Sequence, residues 1–252
     1  MNVSITIPSR LRLHLLEQCI KSWFDLAESP DLIETNVMYD SDDEPTHEFL
    51  LNIKESYPNV KPHMVTITPE MRQAGLNIHD LYFNPGARLA TGKYIWGTGN
   101  DVEVKTKHYD KILCDEIEAF LQDKPDRLLY CQINHDELGS PMIPGACAFP
   151  VTTKESVETI GGTMPSEITS WGADVAMYHI YASLAQSRTL NLSDKVFIWH
   201  WSFHTGRTHK NGLSEDKSGF EGDDIAYSLS TKVQFLSPAQ HNAYIRRLNA
   251  KF

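Results

Sequence analysis

The sequence predicts an α/β fold built on a mainly parallel central sheet flanked by helices. Apolar runs of strand length alternate with segments of helical periodicity across the first half of the chain. Carboxylate-bearing polar turns follow two of those runs, at Asp40-Ser41-Asp42-Asp43-Glu44 and at Asn100-Asp101-Val102-Glu103. In open α/β sheets ligands lie beyond the carboxyl ends of strands, where such turns sit. The 252 residues, 41% hydrophobic and 22% charged, are ample for a buried core.

The elements follow in order. Val3 to Ile7 reads as a buried strand. Leu13 to Leu26 places Leu13, Leu16, Ile20, Trp23 and Phe24 at helical spacing. Thr35 to Tyr39 is a second strand. Thr46 to Ser56 is a helix with Phe49, Leu50 and Ile53 on one side, and His63 to Ile67 is a third strand. Ile78 to Leu89 is helical with a break near Asn84-Pro85-Gly86. Lys93 to Trp96, Tyr109 to Leu121 and Arg127 to Ile133 continue as strand, helix and strand. The second half is less regular. It offers a strand at Cys147 to Val151, a short helix from Lys154 to Thr159 stopped by Gly161-Gly162, and a helix from Asp174 to Leu184. An aromatic run from Val196 to Phe203, a polar loop from Glu215 to Asp224 and a closing helix from Pro238 to Leu248 complete it. No repeat, low-complexity tract or linker divides the chain, so residues 1–252 are expected to form one compact domain with two lobes.

Composition narrows the function classes. No apolar run approaches the roughly 20 residues of a membrane helix, so no membrane span is expected. The N-terminus enters a strand at once, without a basic and then apolar leader, which points to a cytoplasmic protein. Cys19, Cys114, Cys131 and Cys147 form no Cys-x-x-Cys pair and sit in apolar context, as buried free thiols do. A net charge of −10 weighs against broad attraction to a polyanion. An acidic protein that binds a diphosphate needs a metal to neutralise charge.

Five constellations carry chemistry. Ile7-Pro8-Ser9-Arg10 leaves the first strand without the Gly-rich turn of a dinucleotide fold, so Pro8, Ser9 and Arg10 suggest a different phosphate or base cradle. The acids after the second strand repel one another unless solvated, hydrogen-bonded or near a cation. Helix N-terminal preference accounts for Asp43 and Glu44, and less well for Asp40 at the strand tip. Asn100-Asp101-Val102-Glu103 offers oxygen ligands suited to a hard divalent cation. Ser170-Trp171-Gly172-Ala173-Asp174 opens a helix, where Asp174 either caps the helix or faces a cleft as a general base. In Trp199-His200-Trp201-Ser202-Phe203-His204, a strand would put His200, Ser202 and His204 on one face, with histidine a common metal ligand. Trp171, Trp199, Trp201 and Phe203 read as core residues or as stacking surfaces for a sugar or nucleobase, and Arg207, His209 and Lys210 form a small basic cluster beside them.

Taken in order, these segments resemble the GT-A nucleotide-sugar glycosyltransferases, especially the inverting enzymes of family 2, over residues 3 to 204. The matching stretches are Val3-Ser4-Ile5-Thr6-Ile7-Pro8-Ser9-Arg10, Asp40-Ser41-Asp42-Asp43 and Asn84-Pro85-Gly86-Ala87-Arg88-Leu89-Ala90-Thr91-Gly92-Lys93-Tyr94-Ile95. Gly99-Asn100-Asp101 stands at the family's Asp-x-Asp, and Val157 to Gly162 precedes Ala173-Asp174 where the family has Glu-Asp. Two departures stand out: Gly99 replaces the first acid of Asp-x-Asp, and Ala173 replaces the Glu before the base.

The resemblance implies a Rossmann-like GT-A domain, with residues 1–104 as the donor half and 105–252 as the acceptor half. It implies a nucleotide-diphosphate sugar donor, most naturally a uridine one. Asp40 would meet the base beside Pro8, Ser9 and Arg10, with Asp42 or Asp43 facing the ribose and Asn84, Arg88 and Asn100 also in the donor pocket. Asp101, Glu103 and a C-terminal histidine, His200 or His204, would hold Mn2+ or Mg2+. Asp174 would serve as the base for an inverting transfer. The acceptors it admits are a surface glycan, a lipid-linked sugar or a hydroxymethylated DNA base. Two alternatives stand beside it. A sugar-phosphate nucleotidyltransferase, like a methyltransferase, would carry a Gly-rich turn after the first strand. A non-catalytic nucleotide-sugar-binding module is suggested by Gly99.

Overall fold

The computed structural model describes residues 1–135, 146–169, 172–184, 186–201 and 234–251. Strands β1 (Val3–Ser9) and β2 (Ile33–Asp40) pair in parallel within a seven-stranded sheet. Both are buried almost throughout, as expected of parallel strands covered on two faces. β3 (Val60–Val65) lies parallel outside β2, and β4 (Tyr94–Gly97) lies parallel on the other side of β1, with Thr6 opposite Gly97. Beyond β4 the sheet continues through an antiparallel strand (Val151–Thr153) to Tyr130–Gln132 and Thr189–Asn191. The order, with β5 to β10 numbered along the chain, is β3-β2-β1-β4-β8-β6-β9. β5 (Val102–Val104), β7 (Asn134–His135) and β10 (Phe197–His200) form a second, three-stranded sheet in the order β5-β10-β7. Its Val102, Val104 and Ile198 pack into the same apolar cluster as Ile5, Ile7 and Trp96 of the large sheet.

Helix α1 (Leu13–Asp25) buries the expected Leu16, Ile20, Trp23 and Phe24 together with Leu15 and Cys19, while Leu13 stays partly exposed. Trp23 meets Trp96 and Tyr109 edge-on, with ring centroids 4.7 and 5.3 Å away. α2 (Glu44–Ile53) is capped by Asp43, whose carboxylate accepts from the Thr46 amide. α5 (Tyr109–Leu121), α6 (Lys154–Ile160), α7 (Ala173–Ala182) and the closing α8 (Pro238–Asn249) fall where periodicity placed helices. The four cysteines are free, three of them buried. Among the described residues, no helix is long and apolar enough to cross a membrane.

Several expectations are displaced. The third strand starts at Val60 rather than His63 and ends at Val65. The stretch before Val151 lies outside the ladder, and a side chain holds it instead: the Cys147 amide donates to the Tyr130 hydroxyl at 2.9 Å. Helical structure does not break at Asn84-Pro85-Gly86. A π-turn over His79–Phe83 runs into α4 (Asn84–Leu89), and Pro85 sits in its first turn, where its missing N–H costs nothing. α3 (Pro69–Ala74), capped by Thr68, and the short strands β5, β7 and β9 were not anticipated.

Candidate functional site

The carboxyl ends of β1, β2 and β4 carry two charged clusters. At the β2 end, Asp40 is only 1% exposed. Arg10, just past β1, donates to Asp40 at 2.7 Å and to Asp42 at 2.6 Å. Arg72 of α3 donates to Asp40 at 2.7 Å and to Asp42 at 3.2 Å. Tyr82, in the π-turn, donates its hydroxyl to the other Asp40 oxygen at 2.6 Å. Two carboxylates thus face two guanidiniums. Burial opposes the Arg10 charge, but the bonds to Asp42 and Asp40 hold its pKa above the ordinary value. The Arg10 bond likewise holds Asp42 below the usual carboxylate range. Asp42 is half exposed and faces solvent beside this cluster. Asp43 is taken up by structure: it caps α2 and accepts the Leu11 amide at 2.8 Å, which leaves Asp42 as the acid able to face a ligand here.

At the β4 end, Asn100 donates to Ser9 Oγ at 3.2 Å and ties the two strand exits together. Asp101 Oδ2 accepts from Arg12 at 2.9 Å, and Asp101 Oδ1 lies 3.5 Å from His200 Nε2. β10 is brought there by the antiparallel pairing of His200 with Val102 and by the Trp201 amide, which donates to the Asp101 carbonyl at 2.8 Å. Burial works against the Asp101 charge, yet His200 and then Arg12 hold its pKa down at about 2. Asp101 is therefore an anion throughout the physiological range. Gly99 explains how its carboxylate can lie where it does. A Cβ at position 99 would stand 2.3 Å from Asp101 Oδ1, so the missing first acid and the position of the second are coupled.

Three expected ligands are placed differently. Glu103 pairs with Trp199 across the ladder, so it shares the Trp199 face of the small sheet and not the His200 face. Its carboxylate accepts from Trp201 Nε1 and from Lys105, the latter at 2.6 Å, away from the Asp101–His200 pair. Asn84 is buried, and its side chain receives the Thr163 and Met164 amides at 2.9 and 3.1 Å and donates to the Met164 carbonyl at 3.0 Å. Arg88 donates to the Gly161 carbonyl at 2.8 Å. Both therefore brace the segment after α6 rather than line a pocket. His204, Trp171, Phe203, Arg207, His209, Lys210 and the Glu215 to Asp224 loop lie outside the described residues.

Asp174 stands in the first turn of α7, partly exposed, behind Gly172 at φ 96°. After burial, its charge is among the influences that push the Tyr130 and Cys147 pKa values up. The Phe149 ring lies beside His200, with centroids 4.9 Å apart.

Among the described residues no three His, Cys, Asp or Glu side chains converge. The residues fit a divalent cation as a two-donor site. The 3.5 Å between Asp101 Oδ1 and His200 Nε2 is near the ~3 Å edge of an octahedron with ~2.1 Å bonds. Such cations bind through one or two protein ligands plus substrate phosphates.

Sequence reasoning missed Arg12, Arg72 and Tyr82. Arg72 was signalled by Thr68-Pro69-Glu70, a helix start beside an acidic turn that needs cations. Tyr82 and Arg12 had no comparable local mark.

No family model matches the sequence, and no curated protein matches it. Solved structures do resemble the fold. TarS 1–349 of S. aureus matches with a TM-score of 0.57 at 14% identity, over 100% of this chain and 71% of that one. The mannosyltransferase PcManGT from Pyrobaculum calidifontis, in complex with GDP-Man and Mn2+, matches with a TM-score of 0.57 at 14% identity, over 99% of this chain and 73% of that one. GalNAc-T7 with UDP, GalNAc and Mn2+ matches with a TM-score of 0.60 at 12% identity, over 99% of this chain and 54% of that one. These likenesses show the fold: the chain has the GT-A α/β architecture.

Proposed function

We propose that this protein is a glycosyltransferase that moves a sugar from a nucleotide-diphosphate sugar, preferentially a uridine one, to an acceptor hydroxyl. The observation that carries the reading is the pair of clusters along one sheet edge, Asp40–Arg10–Arg72 at one end and Asp101–His200–Arg12 at the other. A nucleoside diphosphate has a hydrogen-bonding base at one end and concentrated negative charge at the other; the Asp40 carboxylate could accept from the base, and Asp101 and His200 could hold a cation for the diphosphate. Its solved-structure likenesses to transferases bound to UDP or GDP-Man support the same reading.

In this scheme residues 1–104 form the donor half and 105–252 the acceptor half. Asp40 accepts from the base, and Asp42 faces the ribose. Asp101 and His200 would hold Mn2+ or Mg2+, which when bound would supply Lewis-acid stabilisation of charge on the leaving diphosphate. Asp174 removes the proton from the acceptor hydroxyl, which attacks the anomeric carbon from the face opposite the diphosphate and inverts it. The acceptor is a carbohydrate, as a surface glycan or a lipid-linked sugar. Trp199 and Trp201 meet at right angles, 5.9 Å apart, on the same face as Glu103 and Lys105. Such a surface combines apolar rings for a sugar face with charged groups for its hydroxyls. The net charge of −10 disfavours the third acceptor, a DNA base.

The test is a transfer assay over a panel of UDP- and GDP-sugars with wild type and Asp174→Asn. Donor hydrolysis or transfer by the wild type, lost by at least ~10²-fold in Asp174→Asn with donor binding retained, is expected. Full turnover by Asp174→Asn removes Asp174 from the base role.

A further inference from the structure

The exit from β1 carries a second arginine to which the scheme above gives no step. Arg12 reaches Asp101 across 89 residues of sequence at 2.9 Å, with 18% of its side chain exposed. Its placement goes against local preference in two ways. Leu11 adopts φ 54°, a left-handed conformation costly for a branched side chain. Leu11 is also 48% exposed, so buried packing does not repay that cost. Arg12 itself is the N-cap of α1 without a side-chain cap, at a helix end that favours small oxygen-bearing residues and disfavours a cation. The kink is nevertheless fixed, because Asp43 holds the Leu11 amide from the next strand's turn. Its effect is that Arg10 and Arg12, two residues apart, reach opposite ends of one site. Local rules broken together at a well-held turn mark a functional position.

We propose that Arg12 is a diphosphate-binding residue kept in reserve on Asp101. It neutralises that carboxylate while the donor is absent and moves onto a phosphate oxygen when a divalent cation and the diphosphate enter together. The inference rests on the nucleotide-sugar reading. A dication alone would stand beside the Arg12 guanidinium and be opposed by it. The diphosphate supplies the negative charge that both cations need, so the two ligands bind with positive coupling. Guanidinium is suited to the exchange because it pairs with carboxylate and phosphate through the same planar fork.

Calorimetry with Mn2+ alone, with UDP plus Mn2+, and with uridine tests this on wild type, Arg12→Gln and Arg12→Lys, each checked for folding by thermal melting. Arg12→Gln is expected to bind Mn2+ alone about tenfold tighter, since Asp101 loses its internal cation, and UDP plus Mn2+ about tenfold or more weaker. Uridine affinity, set at the Asp40 end, stays unchanged, and Arg12→Lys recovers most of the UDP affinity. Unchanged Mn2+ and UDP affinities in folded Arg12→Gln overturn the assignment while leaving the donor reading intact. Wild-type protein that binds neither UDP nor GDP, with or without Mn2+, sinks the donor reading and the diphosphate role with it.

Discussion

Strand β2 buries a carboxylate at each end, and the two are handled in opposite ways. Glu34 opens the strand fully buried and Asp40 closes it at 1% exposure. Around Glu34 three of the four partners are short and fixed, the Ser4 hydroxyl and the Thr91 amide and hydroxyl, and the fourth is the long, partly exposed Lys61. Ser4 also accepts the Gly92 amide at 2.8 Å, so the cluster pins the chain entering β4 against β1 and β2. Around Asp40 the charged partners are two arginines, each about a fifth exposed and shared with half-exposed Asp42. Long cationic side chains that already touch solvent can be redirected by a ligand, whereas a backbone amide and two hydroxyls cannot. The comparison teaches that a buried acid is not by itself a site. What distinguishes the two is the share of partners that can exchange: one of four at Glu34, two of three at Asp40.

The largest expected effect breaks the Glu34 end. Glu34→Ala leaves Ser4 and the Thr91 amide without their acceptor, and a loss of about 3 kcal/mol in denaturant unfolding is expected. UDP affinity of the folded fraction should not change. Asp40→Asn should do the reverse, lowering UDP affinity by ~10- to 100-fold with a smaller change in unfolding. If the two variants behave alike, the division between clamp and site is wrong.

Acid sharpens the same contrast. Burial opposes the Glu34 charge, but Lys61, Ser4 and Thr91 outweigh it and hold the pKa at about 2, below the ordinary 4.5. Because the folded-state value is the lower one, the stabilisation is complete above pH 4.5 and is lost as pH falls toward 2. It amounts to about 3 kcal/mol. A stability profile through that window should flatten in Glu34→Gln. Next in size is Asn84→Ala, which frees the Thr163 and Met164 amides. Hydrogen exchange at those two positions should accelerate, with a cost of about 2 kcal/mol. The smallest effect is Leu11→Gly. An exposed leucine at φ 54° gives up strain with its side chain, so unfolding should move by less than about 1 kcal/mol. A buried leucine would cost several times that.

The parallel half of the fold was legible because periodicity and burial agree there. β1, α1, β2 and α5 lie within a few residues of where the apolar spacing put them. The small sheet was not legible, since β5 and β7 are three and two residues long and both take their ladders from the distant β10. Asp40, Asp42, Arg10 and Asp101 gather at the sheet edge because strand ends converge there, which sequence order alone suggests. Glu103 was read as a ligand because a turn was expected where β5 begins, and the strand's period of two rotates it to the other face. Asn84 and Arg88 sit in the right helix but spend their hydrogen bonds on the backbone after α6, a contact made across roughly 80 residues. Arg12 and Tyr82 become visible only once the folded chain brings them to Asp101 and Asp40.

The central claim, that one sheet edge binds a nucleoside diphosphate between the Asp40 and Asp101 clusters, is tested most directly by titrating UDP calorimetrically with and without Mn2+, in wild type and Asp101→Ala. Binding that needs Mn2+ and is lost in Asp101→Ala is expected. Tight binding that ignores both the metal and Asp101 would contradict the role given to that end. Absence of binding by any nucleoside diphosphate would contradict the claim as a whole.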